Sequence, residues 1–182
     1  KLISKKYSLH IFEDNAQGFG TKYKKNFTGG IGIFGALSFY PTKILGCFGD
    51  GGAIVTNNYN IYINAKKIRN HGRNVKGHVD QWGTNSRLDN VQAAVLNYNL
   101  TKVEQTIKKR INLAKLYFEL LRNNKNIKFT HVANSSVVRH TFQNFEILVK
   151  KRNKLKNFLQ DNGIETLIQW KSVPINKLKL PK

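Results

Sequence analysis

Residues 31–57 read IGIFGALSFYPTKILGCFGDGGAIVTN, two apolar runs separated by a polar and glycine-rich stretch. Residues 31–40 form a strand candidate followed at once by Pro41, Thr42 and Lys43. Gly46, Gly49, Gly51 and Gly52 mark a tight loop, and residues 53–56 form the next strand candidate. Upstream, the apolar residues 9–12 end in the acidic pair Glu13 and Asp14, as expected of a buried strand with polar groups at its C-terminal end. Open α/β sheets place ligand sites at such ends. Three strands with functional loops therefore fill the first third of the chain.

The rest alternates between helix and strand patterns. Asn57 and Asn58 can cap a helix running to about residue 70, and residues 88–100 read as another, with Asp89 near its positive end. Val103, Ile107, Ile111, Ala114, Phe118 and Leu121 recur at steps of three and four, which predicts one long amphipathic helix. Its other face carries Lys102, Lys108, Lys109 and Lys115, a stripe expected to be solvated. Residues 141–149 read as a strand, 152–162 as a helix stopped by Gly163, and 164–170 as a further strand. The expected boundary lies near residues 100–125, where the long helix would join two lobes. No internal repeat or low-complexity linker is visible.

Composition narrows the function classes. With 40% hydrophobic and 11% aromatic residues, the chain has enough apolar matter for a core and is not compositionally disordered. No run of about 18 apolar residues occurs, and the N-terminus lacks the order of a secretory signal, so no membrane partner and a cytoplasmic location are expected. The single cysteine, Cys47, excludes an internal disulfide and makes a structural zinc site implausible. The net charge of +21 would attract any polyanion. The basic residues are nevertheless spread along the chain and no nucleic-acid module is legible, so no specific nucleic-acid partner is expected.

Three segments carry the chemistry: EDNAQ at 13–17, SFYPTK at 38–43 and GDGGAIVTN at 49–57. With RNHGR at 69–73 and NSRLDNVQAAVL at 85–96, they make the chain resemble the DegT/StrS-type sugar aminotransferases. The resemblance covers nearly the whole chain and is weakest between residues 123 and 140. It implies an α/β fold of the aspartate-aminotransferase-like kind (fold type I), with pyridoxal 5'-phosphate as cofactor. The implied division is residues 1–100 as the second half of the cofactor-binding large domain, 101–125 as a connecting long helix, and 126–182 as part of a smaller α/β domain. Since the family's chain is about twice as long, the resemblance also implies a piece without the N-terminal half. That half would hold the phosphate-binding loop at a helix N-terminus and the aromatic side chain stacked on the cofactor. KLKLPK at 177–182 resembles a stretch shortly before the family's final helices.

The expected site follows residue by residue. A lysine amine must bond the cofactor aldehyde and then move a proton, and Lys43 matches the family's residue for this. As one lysine among many, Lys43 would read as a surface residue; its place in SFYPTK before the glycine loop singles it out. The cofactor withdraws electrons when its pyridine nitrogen stays protonated, which a nearby carboxylate favours, and Asp14 is the matching residue. Read alone, Asp14 would be a turn or helix cap. Gln17 matches the residue that lies by the ring and can hydrogen-bond its phenolic oxygen. Ser38, five residues before the lysine, is the matching phosphate donor. Asn85 matches an asparagine that reaches the phosphate from the neighbouring subunit, which implies a homodimer with shared sites. His71 fits a structural place or the substrate entrance better than a general base, Asp50 fits a turn, and Arg87 suits either an anionic substrate group or an acidic partner. These three stay outside the expected site, and no metal is expected.

The implied reaction passes an amino group, with glutamate the donor suggested by the family, to a nucleotide-linked keto-sugar in amino-sugar biosynthesis. NGIETLIQW at 162–170 resembles a branch acting on 3-keto-6-deoxy sugars. After Trp170 the sequence departs from the family pattern, which presents a histidine about where Asn176 stands. A dehydratase relative would carry histidine in place of Lys43. The remaining alternative is a non-catalytic fragment or a protein that binds polyanions through its charge.

Overall fold

The computed structural model describes residues 1–130 and 134–178. After a short helix α1 (Leu2–Lys6) come β1 (Phe12–Asp14), β2 (Lys22–Tyr23), β3 (Asn26–Phe27), β4 (Phe34–Ser38) and β5 (Gly52–Val55). Helices α2 (Tyr59–Ile68), α3 (Asn90–Leu100) and α4 (Val103–Leu121) follow. β6 (Ile127–Phe129), β7 (Val138–Arg139), β8 (Ile147–Val149) and α5 (Arg152–Asp161) lead to two 3-10 turns, Gln169–Ser172 and Ile175–Lys177. The expectation for 177–182 lies outside the described residues beyond Leu178.

The described residues fall into two compact units. The first combines Lys1–Arg122 with His131–Phe145, and the second Asn123–Thr130 with Glu146–Lys182. In the first, β1, β4 and β5 form a sheet in that order, with β1 parallel to β4 and β5 antiparallel to it. β2 pairs antiparallel with both β3 and β7, so residues 138–139 join the hairpin at 22–27. In the second unit, β6 pairs antiparallel with β8.

Of the three strands expected in the first third, β4 is a shortened form of 31–40 and β5 is shifted by one residue from 53–56. The strand expected as buried at 9–12 lies instead at Phe12–Asp14, shares only Phe12 with the expectation, and has Phe12 and Asp14 exposed, because its pairing with β4 begins at Phe12. Asn58 caps α2, its side-chain oxygen accepting from the Asn60 and Ile61 amides at 3.0 and 3.2 Å. Helix α4 spans the whole predicted periodicity, with Ile107 and Ala114 buried and Lys102, Lys108, Lys109 and Lys115 exposed. Gly163 ends α5 with a left-handed φ of +75°.

Two further strand expectations need correction. Of residues 141–149 only Ile147–Val149 is strand. Phe142 has φ +51°, incompatible with a strand, and its carbonyl accepts from Arg110 rather than from a ladder partner. Residues 164–170 are not a strand either: the chain there is irregular and enters the 3-10 turn at Gln169.

A small core anchors the loop that follows Lys43. Leu45 and Cys47 pack with Leu96 of α3, and Phe19, Phe39, Leu88, Val95 and Val103 surround them. Gln92, Leu96 and Asn99 lie on one face of α3. Gln92 accepts from the Phe48 amide at 2.9 Å, and Asn99 donates to the Gly46 carbonyl at 2.9 Å. Gly46 is required by close approach, since a Cβ there would lie 2.7 Å from the Pro41 carbonyl oxygen and 2.8 Å from that of Tyr40.

Candidate active site

The parallel pair β1 and β4 puts two chemistry-bearing loops at the same end of the sheet. Asp14 pairs with Ala36, and the Asn15 amide extends the pairing by donating to the Ala36 carbonyl at 2.9 Å. Asp14 thus ends β1, Gln17 follows in its loop, Ser38 ends β4, and Lys43 follows in the next loop. Four of the five expected site residues occupy the C-terminal ends of adjacent parallel strands, where open α/β sheets place ligands.

Alternation along β1 and its extension divides the labour within EDNAQ. Glu13 accepts from the Gly29, Ile31 and Gly32 amides at 2.7, 2.6 and 2.7 Å, holding the loop into β4. Burial alone would push its carboxyl up, but these amides and the Lys1 charge together hold it below its ordinary value of 4.5. Asn15 is buried, donates to the Thr28 carbonyl at 3.1 Å and accepts from the Thr28 hydroxyl at 2.7 Å. Asp14 and Gln17 remain exposed. One Asp14 oxygen accepts from the Ala16 amide at 3.1 Å, so the turn-capping role is real and leaves the second oxygen available.

Lys43 is half-buried, and among the described residues no hydrogen bond or ion pair engages its ammonium. Its backbone is held closely. The Lys43 amide donates to the Tyr40 carbonyl at 2.8 Å, the Thr42 carbonyl accepts from the Gln143 side chain at 2.8 Å, and the Ile44 amide donates to the Gln143 side-chain oxygen at 2.9 Å. The next residue, Asn144, donates its side-chain amide to Gln17 Oε1 at 2.7 Å. Ser38 Oγ accepts from the Tyr40 amide at 3.4 Å. Sequence reasoning missed Glu13, Asn15, Gln143 and Asn144. Glu13 followed by the glycine-rich GGIG at 29–32 was the one available signal.

Asn85 lies elsewhere, in a loop bridged to Asn70, where its side chain accepts from Arg87 Nε at 3.0 Å. No described hydrogen bond joins it to the other four. In the neighbouring RNHGR, Gly72 has φ +72° and a Cβ there would lie 1.7 Å from the Gln81 carbonyl oxygen, so no other residue fits. His71 has φ +59° and its amide donates to the Thr84 carbonyl at 3.0 Å. Lys66, Lys67, Arg69, Arg73 and Arg87 line a shallow cavity of about 280 Å³ here. Lys67 pairs with Asp80 at 3.0 Å, and that hydrogen bond holds the Asp80 carboxyl below its ordinary range. Among the described residues, no group of three metal-binding side chains converges and no helix is long and apolar enough to cross a membrane.

The donor set fits a pyridoxal phosphate. It offers an unpaired primary amine on Lys43, a free carboxylate oxygen on Asp14, and a hydroxyl on Ser38. Because Asn144 occupies Gln17 Oε1, the amide nitrogen of Gln17 is left as a donor, the sense needed for an anionic oxygen.

Comparison with known proteins gives the family. The chain belongs to the DegT/DnrJ/EryC1/StrS aminotransferase family, whose model matches residues 1–182. It is 34% identical over 168 residues to a "pleiotropic regulatory protein" of Geobacillus stearothermophilus, covering 92% of this chain and 45% of the relative. It is 36% identical over 175 residues to the dTDP-3-amino-3,4,6-trideoxy-alpha-D-glucose transaminase of Streptomyces venezuelae, covering 96% and 45%. A crystal structure of a family aminotransferase from Brucella abortus superposes with a TM-score of 0.90 at 34% identity, over 98% of this chain and 47% of that one. The expected α/β, fold type I class is therefore borne out. The chain spans about half the length of the curated relatives it matches.

Proposed function

We propose that the protein to which this chain belongs is a pyridoxal-phosphate-dependent aminotransferase that moves an amino group, from glutamate, to a nucleotide-linked keto-sugar in amino-sugar biosynthesis. The observation that carries this reading is the convergence of Asp14, Gln17, Ser38 and Lys43 at the ends of two adjacent parallel strands in a chain of this family.

The cofactor, when bound, supplies an aldehyde for amines and a ring that accepts the electron pair left when a C–H bond breaks. Lys43 Nζ would be the group that holds the cofactor through its aldehyde and, as a free amine, the base for the proton on the donor's α-carbon. Asp14 Oδ2 would hold the pyridine nitrogen protonated by favouring its cationic form. The Gln17 amide would donate to the phenolic oxygen, and Ser38 Oγ would donate to the phosphate. Residues 1–100 form half of the cofactor-binding domain in this reading, 101–125 the connecting helix and 126–182 part of the smaller domain.

Asn85 completes the phosphate site of a second copy in a cytoplasmic homodimer. Its separate loop and the exposure of the nearby Val75 and Trp82, at 94% and 98%, support that placement. The cationic cavity beside Arg87 supports a phosphate-linked substrate. The name of the Streptomyces relative and NGIETLIQW at 162–170 support amination at C3 of a 6-deoxy sugar.

The test is made on the complete open reading frame that encodes this chain. Purified with cofactor, it is expected to show the visible absorption of a lysine-bound pyridoxal phosphate, to bleach when glutamate is added, and to lose the band on Lys43→Ala. Retention of the band by Lys43→Ala sinks the assignment.

A further inference from the structure

Gln143 and Lys43 are distant in sequence, and no motif joins them. In the fold, one Gln143 side chain holds both peptide groups that flank Lys43. Its amide nitrogen donates to the Thr42 carbonyl at 2.8 Å and its oxygen accepts from the Ile44 amide at 2.9 Å. With the Lys43 amide held by the Tyr40 carbonyl, the peptide planes on both sides of the Lys43 Cα are fixed. Two fixed planes leave a residue neither free φ nor free ψ, which fixes the direction of its Cα–Cβ bond.

The clamp is itself anchored. One Arg110 nitrogen, Nη1 on the long helix α4, donates to the carbonyls of Phe142 and Gln143, both at 3.1 Å. Phe142 is buried and held at φ +51°, a left-handed conformation that bulky residues avoid and that persists only when the surroundings impose it. The adjacent Asn144 donates to Gln17, so two consecutive side chains reach two different parts of the site. Ordinary loop packing would not require both polar ends of one amide to straddle a single residue.

We infer that Gln143 is a positioning residue for Lys43: it sets where the amine sits without touching it, while Asn144 sets which end of the Gln17 amide faces the cofactor. Arg110 and the strained Phe142 hold this pair in place. Reacting atoms must be closely aligned, and a misplacement of about 1 Å costs on the order of a hundredfold in rate. The inference rests on the aminotransferase reading and deepens it.

The experiment uses the complete open reading frame, with Gln143→Ala and Gln143→Glu. Glutamate at 143 still accepts from the Ile44 amide but cannot donate to the Thr42 carbonyl, and it brings a negative charge beside Lys43. In cofactor-free protein, amide exchange at Ile44 is expected to speed up in Gln143→Ala and to stay slow in Gln143→Glu. In loaded protein, Gln143→Ala is expected to lower kcat by roughly 10- to 100-fold with KM for the amino donor little changed. Gln143→Glu is expected to raise the pH at which the lysine-bound cofactor band titrates, because a nearby carboxylate favours the protonated form.

Wild-type Ile44 exchange and wild-type kcat in Gln143→Ala overturn the inference. If that variant does not fold, Gln143→Glu decides: a band titrating at the wild-type pH with unchanged kcat overturns it, and a shifted titration with lowered kcat supports it. A wild-type protein without the band overturns the aminotransferase reading instead, while the Ile44 exchange still tests the clamp.

Discussion

Glu13 stands next to the expected cofactor carboxylate but works on the opposite side of the strand. Its two oxygens gather three backbone amides, and hydrogen bonds to a charged acceptor are the stronger kind. Glu13→Gln replaces one acceptor oxygen by a donor that faces amide hydrogens, and is expected to cost about 1–3 kcal/mol of stability. The pH dependence follows from the lowered carboxyl. A group whose folded value lies below its unfolded one contributes stability that is fully present above about 4.5 and is lost as pH falls through the folded value. Urea midpoints of wild type and Glu13→Gln should therefore converge as pH drops from 6 towards 3; a gap constant over that range would show that the ionised carboxylate is not what holds the loop. Lys43, Asp14, Gln17 and Ser38 were legible because each sits inside a motif with ordered neighbours. Glu13, Asn15 and Gln143 were not, since each acts on backbone groups supplied by tertiary structure. The Gln143 contact to Thr42 spans 101 positions.

Elements were legible in proportion to the length of their pattern. Helix α4, with six apolar positions in register, runs over the predicted residues, and α2 starts at the asparagine expected to cap it. The hairpin β2–β3 has two-residue strands, too short for any alternation to register, and β7 pairs with it across more than a hundred residues. Residues 141–146, TFQNFE, alternate poorly and carry only Phe142 and Phe145 as apolar positions; Phe142 turns left-handed and Arg110 takes the place of a ladder partner by donating to the Phe142 and Gln143 carbonyls. Residues 164–170, IETLIQW, are apolar enough for a strand, but among the described residues no strand pairs with them. The α2 cap is a direct test of local encoding. Asn58→Ala removes the side-chain acceptor of two amides at the helix start and is expected to lower stability by about 1 kcal/mol, whereas Asn58→Asp should hold it. Equal urea midpoints for Asn58→Ala and wild type would mean that packing, rather than the cap, sets the start of α2.

At the scale of the whole molecule the charge of +21 is the property that competes with the enzyme reading. Described ion pairs such as Lys67 with Asp80 and Arg139 with Glu104 neutralise few of the 31 basic side chains. Much of the remainder is solvent-facing, as on α4, where Lys102, Lys108, Lys109 and Lys115 project away from the buried Ile107 and Ala114. Such a surface is expected to neutralise phosphates wherever it meets them, and phosphate contacts carry no base information. Binding of this kind releases counterions, so its affinity falls linearly with the logarithm of salt concentration. For about 6–10 phosphate contacts, the expected loss between 50 and 200 mM salt is on the order of a thousandfold or more. Fluorescence anisotropy with two duplexes of equal length and scrambled sequence should give the same affinity for both at every salt concentration. A preference for one duplex that survives 200 mM salt would overturn this account and make nucleic-acid recognition a function of the fold. The predicted indifference would leave specificity to the proposed Lys43 site, where donors of different chemistry stand at one end of the sheet.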